Sequence, residues 1–517
     1  MSNKASTPSY TVEYALAFDS QNPMTVLQKL DKIAISIYND VLGEGLKRLH
    51  RLQHDSAYKD ALAEYRKLIR KAKPSKKDKL IMEQLQKNIN TASQQYGFTE
   101  YDLQKYAKAG RDHFYDVLGA HECQKLATRA YKALQKLKTG KAEKVKFKST
   151  KYDTISIENK DNITGIHFDR ENLCIVYGKP IYDKASNKTT KKYYHFPIVI
   201  KRNDQYAMQA LQDRVKYVRL QSRKIKGKLR WFVQLVFEGY PPQKPNHTYG
   251  SEDTTVGLDI GVSTLAVSSK EEVHLIELAP ECEADERKIR ILSRKMDRSK
   301  RSTNPDNYNK NGTIKKAPKG ERLKWNYSHN YEKAKAKRAE LYRKAAIKHK
   351  ASHEALANKI IAMGTDIRVE EMSFKGLQKR SKKTTTNQAG KYNSKKRYGK
   401  TLGNRAPAKL LEIINRKLGY KKLKLKKINT RKVRASQYNP LDGTYQRKDL
   451  KDRMIELSSG IIVQRDMLSA YIVEHTNTSL SSINKRKCRS DFKSFKALQD
   501  SEIQQLKENN QLAWYTN

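Results

Sequence analysis

Residues 254–269 constrain the fold more than any other stretch. They read Thr-Thr-Val-Gly-Leu-Asp-Ile-Gly-Val-Ser-Thr-Leu-Ala-Val-Ser-Ser. A short apolar run carries one carboxylate, Asp259, meets a Gly-Val-Ser turn, and a second apolar run follows. Burying an Asp inside a strand is costly unless it is paired or holds a metal. Gly261 and Ser263 suit a hairpin turn. The segment therefore predicts two paired strands with Asp259 near the centre of a sheet, facing whatever later elements bring to it.

Charge narrows the partner. The 517 residues carry 106 Lys and Arg against 55 Asp and Glu, a formal net charge of +51. That excess repels itself in a compact state unless a polyanion neutralises it, so nucleic acid is the expected partner. A codon bias toward Lys would enrich Glu and Asp as well, so it does not account for the imbalance. The four cysteines, Cys123, Cys174, Cys282 and Cys488, contain no Cys-x-x-Cys pair, which excludes a disulfide framework and leaves no structural zinc expected. The N-terminus lacks an apolar signal core and no apolar run approaches ~18 residues, so a cytoplasmic protein without a membrane span is expected.

Residues 10–17 predict one strand. From Thr25 the period changes: Leu27, Leu30, Ala34, Ile37 and Val41 form a helical stripe, and helical patterns continue to about residue 140. Thr99 and Asp102 predict a capping box. Residues 144–238 predict mostly strands, above all a hairpin of 215–225 with 229–237 around Lys226-Gly227-Lys228. The lone first strand is expected to join this sheet, making the helical block an insertion into a small barrel. Pro241, Pro242 and Pro245 mark a linker. After the strands that begin at Thr254 come a third strand, a basic helix, a long helix over about 328–363, a strand at 366–372, a loop rich in Lys, Thr and Asn at 376–403, a helix from Pro407, a strand at 422–428, an irregular stretch at 434–460 and a strand-to-helix segment at 463–475. The remainder reads as a polar, peripheral tail.

That succession, three antiparallel strands followed by helix, strand, helix, strand and helix, is the element order of a ribonuclease H-like fold. Such a fold brings three separated acids to the middle of its sheet, where they hold two divalent cations. The candidates are Asp259, Glu370 or Glu371, and Asp466. Alternation sends Glu370 and Glu371 to opposite faces of one strand, and spacing does not choose between them. Asp466 follows Arg465, so an ordinary ion pair competes with a ligand role. Gly399-Lys-Thr401 lacks the glycine spacing and preceding strand of a phosphate loop. His349 and His353 lack a third ligand and read as a solvated helix face.

Three segments carry a family resemblance: Gly-Leu-Asp259-Ile-Gly-Val-Ser-Thr-Leu-Ala, Val-Glu370-Glu-Met-Ser-Phe-Lys-Gly-Leu, and Val-Gln-Arg-Asp466-Met-Leu-Ser-Ala-Tyr. They resemble the three RuvC motifs of TnpB-type RNA-guided nucleases of insertion sequences and of the compact type V CRISPR effectors thought to descend from them. The resemblance covers about residues 120–475 and aligns Glu370, rather than Glu371, with the catalytic glutamate. It implies a multidomain α+β protein: a wedge-like β-barrel over 1–24 and 145–250, a helical recognition block over 25–144, and a RuvC α/β nuclease domain over 251–433 and 461–484. Residues 434–460 stand where many members carry a zinc ribbon, here without cysteine, and 485–517 form the tail. The third motif departs from its usual form: Gln464 and Leu468 replace an acid and an Asn, as in a cysteine-free branch.

The resemblance implies an RNA-guided DNA endonuclease in which Asp259, Glu370 and Asp466 hold two Mg²⁺ ions, with Mn²⁺ as a substitute. Its partners are a guide RNA, target double-stranded DNA beside a short flanking motif, and the displaced single strand; a monomer is the favoured state. Three alternatives stand beside it: a compact type V effector with a separate trans-acting RNA, a nuclease-inactive RNA-guided repressor, and a guide-independent nuclease or transposase.

Overall fold

The computed structural model describes residues 7–18, 21–71, 74–113, 117–183, 188–243, 247–318, 321–387, 390, 392–393, 395, 398–449, 452–458 and 460–516. They fall into two units, Met1–Gln243 and Lys244–Asn517, within a mixed α+β architecture.

In the first unit, alternation buries Tyr10, Tyr14 and Leu16 of β1 (Ser9–Leu16). The chain then leaves the sheet for five helices: α1 (Gln21–His54), α2 (Ser56–Ile69), α3 (Lys76–Gln95), α4 (Glu100–His113) and α5 (Ala120–Lys138). Their ends are capped locally. The Asp55 carboxylate accepts from Tyr58 N at 2.6 Å, Ser75 and Asp78 form a reciprocal capping box, and Thr99 Oγ1 accepts from Asp102 N at 3.1 Å.

The chain returns through β2 (Ile157–Glu158), β3 (Ile166–Asp169), β4 (Cys174–Asp183), β5 (Lys188–Val199), a short α6 (Gln205–Ala210), β6 (Val215–Ile225) and β7 (Lys228–Glu238). The sheet order is β2-β6-β7-β1-β5-β4-β3, so the first strand does sit inside the sheet formed after the helical block. The barrel expected from sequence is a half-barrel: β2 and β3 end the hydrogen-bonded order with no pairing between them among the described residues. The β6–β7 hairpin turns at Lys226 and Gly227, both with positive φ (49° and 80°), a pairing that matches strand twist. Trp231, Val233, Leu235 and Phe237 are all buried along β7.

In the second unit, β8 (Thr255–Ile260), β9 (Thr264–Ser268) and β10 (Val273–Glu277) form an antiparallel meander. The basic helix α7 (Glu283–Thr303) and the long α8 (His329–Met363) then cross to β11 (Asp366–Glu370), which pairs parallel with β8. Short α9 (Phe374–Leu377), α10 (Gly399–Arg405) and α11 (Pro407–Gly419) lead to β12 (Lys426–Ile428), parallel with β11. The sheet order is β10-β9-β8-β11-β12. Pairing at β12 is shorter than the strand read from sequence, and the loop at 376–403 contains a bridge between Thr386 and Tyr392 besides α10; its residues 388–389, 391, 394 and 396–397 lie outside the described residues.

After α12 (Thr430–Val433), β13 (Met454–Glu456) and β14 (Ile462–Gln464) pair antiparallel and deliver α13 (Arg465–Glu474). The cysteine-free stretch between α12 and β14 is tied together by a buried tyrosine and side-chain hydrogen bonds. Tyr438 is buried and bridges Tyr445, while Asn439 Nδ2 donates to Asp442 at 2.8 Å and Ser458 at 2.7 Å.

Strand alternation assigns the two sides of this sheet. Val256, Leu258 and Ile260 pack with Ala357, Ile360 and Ile361 of α8 and with Leu410, Ile413 and Ile414 of α11. The opposite face takes α13, whose Met467, Leu468, Ala470 and Tyr471 join Ala266, Val273, Leu275 and Ile428 in a second core.

The tail read as polar and peripheral is instead part of that second core. It forms α14 (Lys485–Ser490), α15 (Phe492–Glu508) and α16 (Ala513–Thr516). Phe492, Phe495, Ile503 and Leu506 are buried, and the Phe495 ring stacks on Tyr471 with centroids 4.4 Å apart. The apolar stripe is sparse because Gln499 occupies its middle; that side chain is itself buried and accepts from Gln464 N at 2.9 Å. No helix of the described residues is long and apolar enough to cross a membrane.

Candidate active site

The site is built from the face of β8 that α13 covers. Gly257 and Asp259 are two residues apart and so share that face. A Cβ at Gly257 would run into the backbone carbonyl oxygen of Ala470 and stand 2.5 Å from Glu474 N. Only glycine lets the helix approach this closely. Two strand residues advance about 6.6 Å, close to the ~6 Å of four helical residues. With helix and strand running in opposite directions, the Gly257–Ala470 contact therefore carries Asp466, one turn earlier, to the level of Asp259.

Glu370 arrives by register. β8 and β11 are parallel, and Val369 is level with Leu258. Continuing that register by one residue sets Glu370 beside Asp259 on the same side of the sheet. Glu371 turns away: its side chain is 72% exposed and pairs loosely with Lys427 at 3.8 Å. The choice that spacing leaves open is thus made by strand pairing.

The position of α13 is secured at both ends. At its start, Gln464 Oε1 accepts from Met467 N at 2.7 Å, which leaves Asp466 in the first turn. At its end, buried Arg368 donates from Nη1 to Glu474 O at 3.3 Å and to Thr476 Oγ1 at 3.3 Å, while its Nη2 pairs with Asp366 at 2.5 Å. A cation among the last carbonyls of a helix is favoured by the helix dipole. Ser268 Oγ adds a bond to Glu474 Oε2 at 2.7 Å.

Electrostatics couple the three acids. Burial raises the Asp259 pKa well above the ordinary carboxylate range, and the negative charges of Asp466 and Glu370 raise it further; Arg465 and the Ser469 hydroxyl act in the opposite direction. Burial also raises Glu370, whose side chain forms no ion pair or hydrogen bond within the described residues. Asp466 is handled differently. Arg465 grips its Oδ1 through Nη2 at 2.9 Å and Nε at 3.1 Å, and Arg453 Nη1 meets its Oδ2 at 3.3 Å. The ion-pair reading of Asp466 and its place beside Asp259 are therefore both present.

Among the described residues no group of three or more His, Cys, Asp or Glu side chains is drawn together tightly enough to form a metal-holding set. The donors nevertheless suit a hard divalent cation. All three are carboxylates, Asp259 and Glu370 form no salt bridge among the described residues, and both are held at raised pKa, which added positive charge would reverse. The histidine pair at 349 and 353 belongs elsewhere. His353 is buried, not part of a solvated face, and its Nε2 lies 2.9 Å from Arg405 O.

Sequence reasoning did not find Gly257, Arg368 or Arg453. Gly257, next to the apolar run and two residues before Asp259, was the one visible signal; Arg368 acts across 106 residues, and Arg453 meets Asp466 only through the pairing of β13 with β14.

No family model and no curated protein matches the chain. Among solved structures, it is similar to a Cas12f1–sgRNA–target DNA complex with TM-score 0.45 and 12% identity, over 92% of this chain and 99% of that one. A CRISPR-Cas12f ternary complex matches with TM-score 0.27 and 12% identity, over 88% of this chain and 82% of that one. A Cas12i1 R-loop complex before target DNA cleavage matches with TM-score 0.28 and 9% identity, over 95% of this chain and 65% of that one.

Proposed function

We propose that this chain is an RNA-guided DNA endonuclease that hydrolyses phosphodiester bonds at a Mg²⁺-dependent RuvC-type centre made by Asp259, Glu370 and Asp466. The observation that carries the reading is the register of β8 and β11, which sets Asp259 and Glu370 side by side, under a helix whose first turn holds Asp466. The sheet order β10-β9-β8-β11-β12, with β11 and β12 parallel to β8, supports a ribonuclease H-like domain. The three motif resemblances and the net charge of +51 support guide RNA and DNA as partners.

In this reading Asp259 and Glu370 present oxygen ligands from adjacent strands, and Asp466 supplies the third from the helix. Mg²⁺ held by these carboxylates would supply activation of water and stabilisation of charge on the phosphate. Arg465 keeps Asp466 in one rotamer through two bonds to its Oδ1. Base pairing between guide and target strand reads sequence, while the half-barrel and its helical insertion take the flanking duplex.

The test is a plasmid cleavage assay with the protein purified together with its RNA, in Mg²⁺. Asp259→Ala is expected to lose cleavage by at least about 10³-fold while guided DNA binding persists. Nicking retained by the purified variant would end the proposal. One observation favours a second reading, an RNA-guided binder without nuclease activity: both oxygens of Asp466 are engaged by arginines. Absence of cleavage by the unaltered protein, with guided binding intact, would select it.

A further inference from the structure

The C-terminal segment returns to the candidate site. Helix α16 packs on α15, Thr516 is buried, and Tyr515 lies against the second core. The Tyr515 hydroxyl is 3.1 Å from Ser263 Oγ, in the turn that follows the Asp259 strand. That turn is itself fixed, since Ser263 O accepts from Leu278 N at 2.8 Å. The other side of the Tyr515 ring faces Arg453, whose guanidinium carbon stands 4.6 Å from the ring centroid. Arg453 in turn reaches Asp466 Oδ2 at 3.3 Å.

The two arginines on Asp466 are anchored unequally. Arg465 also donates to the backbone carbonyls of Asp449 at 3.2 Å and Asp452 at 3.3 Å. Among the described residues Arg453 has no such backbone anchor. Its Nε is buried without a hydrogen-bond partner, and its head group is held between a carboxylate on one side and an aromatic face on the other. A cation and a guanidinium cannot both occupy the same carboxylate lone pairs. Of the two arginines, Arg453 is therefore the one that can yield Oδ2.

We infer that Tyr515 is a positioning residue that biases the competition between Arg453 and a divalent cation for Asp466. The inference rests on the metal-site reading above and assigns the end of the chain a part in tuning it. Because the ring and the carboxylate hold the guanidinium at once, the ring favours the Arg453–Asp466 pair over the cation-bound carboxylate. A cation–π contact of this kind corresponds to a roughly two- to fivefold effect on competing binding.

The experiment titrates Mn²⁺ or Mg²⁺ alone into the full chain without nucleic acid and reads the midpoint of the metal-induced rise in Tm. Tyr515→Leu keeps apolar bulk and removes the aromatic face; its midpoint is expected to fall roughly two- to fivefold. Tyr515→Phe keeps the face and should stay with the unaltered protein. In an Arg453→Ala background, Tyr515→Leu should have no further effect, which a merely structural role for the tail would not produce. The metal-free Tm of each variant reports folding separately. An unchanged midpoint in Tyr515→Leu, or a change that persists without Arg453, overturns the inference while leaving the nuclease reading intact. If the unaltered protein shows no saturable metal shift, or if Asp259→Ala keeps that shift, the metal-site reading fails and this inference falls with it.

Discussion

At the scale of single residues, the site stores an electrostatic conflict. Asp259 stands half-buried beside two like charges, and its pKa is raised well above 3.8. An acid whose folded pKa is raised favours its proton, so the ionised form at neutral pH opposes folding; the cost vanishes below the unfolded value. Asp259→Asn removes the charge with little change in shape. In a chelator, its Tm at pH 7 should exceed that of the unaltered protein, with the gain disappearing toward pH 4. A lower Tm for the Asn variant at pH 7 would contradict this account. Gly257 solves the neighbouring problem, since the helix carrying Asp466 lies where any side chain at 257 would stand.

At the scale of elements, α15 is joined to the sheet by charge as well as by its phenylalanines. Glu502 Oε1 accepts from the β10 backbone at Leu275 N (3.1 Å), and its Oε2 meets His274 Nδ1 at 3.0 Å. Glu502 and Glu272 together hold His274 up to about 9, against an ordinary 6.5. A raised histidine stabilises the fold fully below its unfolded pKa and loses that contribution as pH rises through the folded value. Glu502→Gln is therefore expected to lower Tm at pH 6, and the gap should narrow between about pH 6.5 and 9. Because His274 is 38% exposed, solvent screens the pair and the effect is small. A gap that widens with pH, measured by thermal melts across that range, would refute the assignment. The same element explains how a polar-looking tail becomes structural: a four-residue stripe is enough once Tyr471 and Phe495 stack.

At the scale of the whole molecule, the +51 charge is the dominant quantity. Self-repulsion on this scale makes any polyanion a stabilising ligand. Heparin or unrelated RNA should raise Tm at low ionic strength. Affinity for single-stranded DNA should fall by about 10³-fold or more between 50 and 200 mM salt if six or more phosphates are contacted. Affinity that hardly changes with salt would show that the charge is not spent on phosphates. The basic helices α7 and α8 contribute 17 Lys and Arg against 7 Asp and Glu to this balance, and some of those cations are paired, as Arg290 is with Glu286 and Arg343 with Glu340.

Much was legible from sequence because it is local. Strand alternation through β6 and β7, the turn at Lys226-Gly227, the Thr99 cap and the order of elements in the second unit all depend on neighbours within a few residues. Such patterns survive without knowledge of partners. Strand pairing, by contrast, is what separates Glu370 from Glu371, since one residue of register decides which side faces Asp259. Tertiary packing alone brought Tyr515 to Arg453 and buried the sparse stripe of α15. Chain chemistry determines which segments can form helices and strands; which charges meet is settled only when the sheet closes its register and the helices cover its faces.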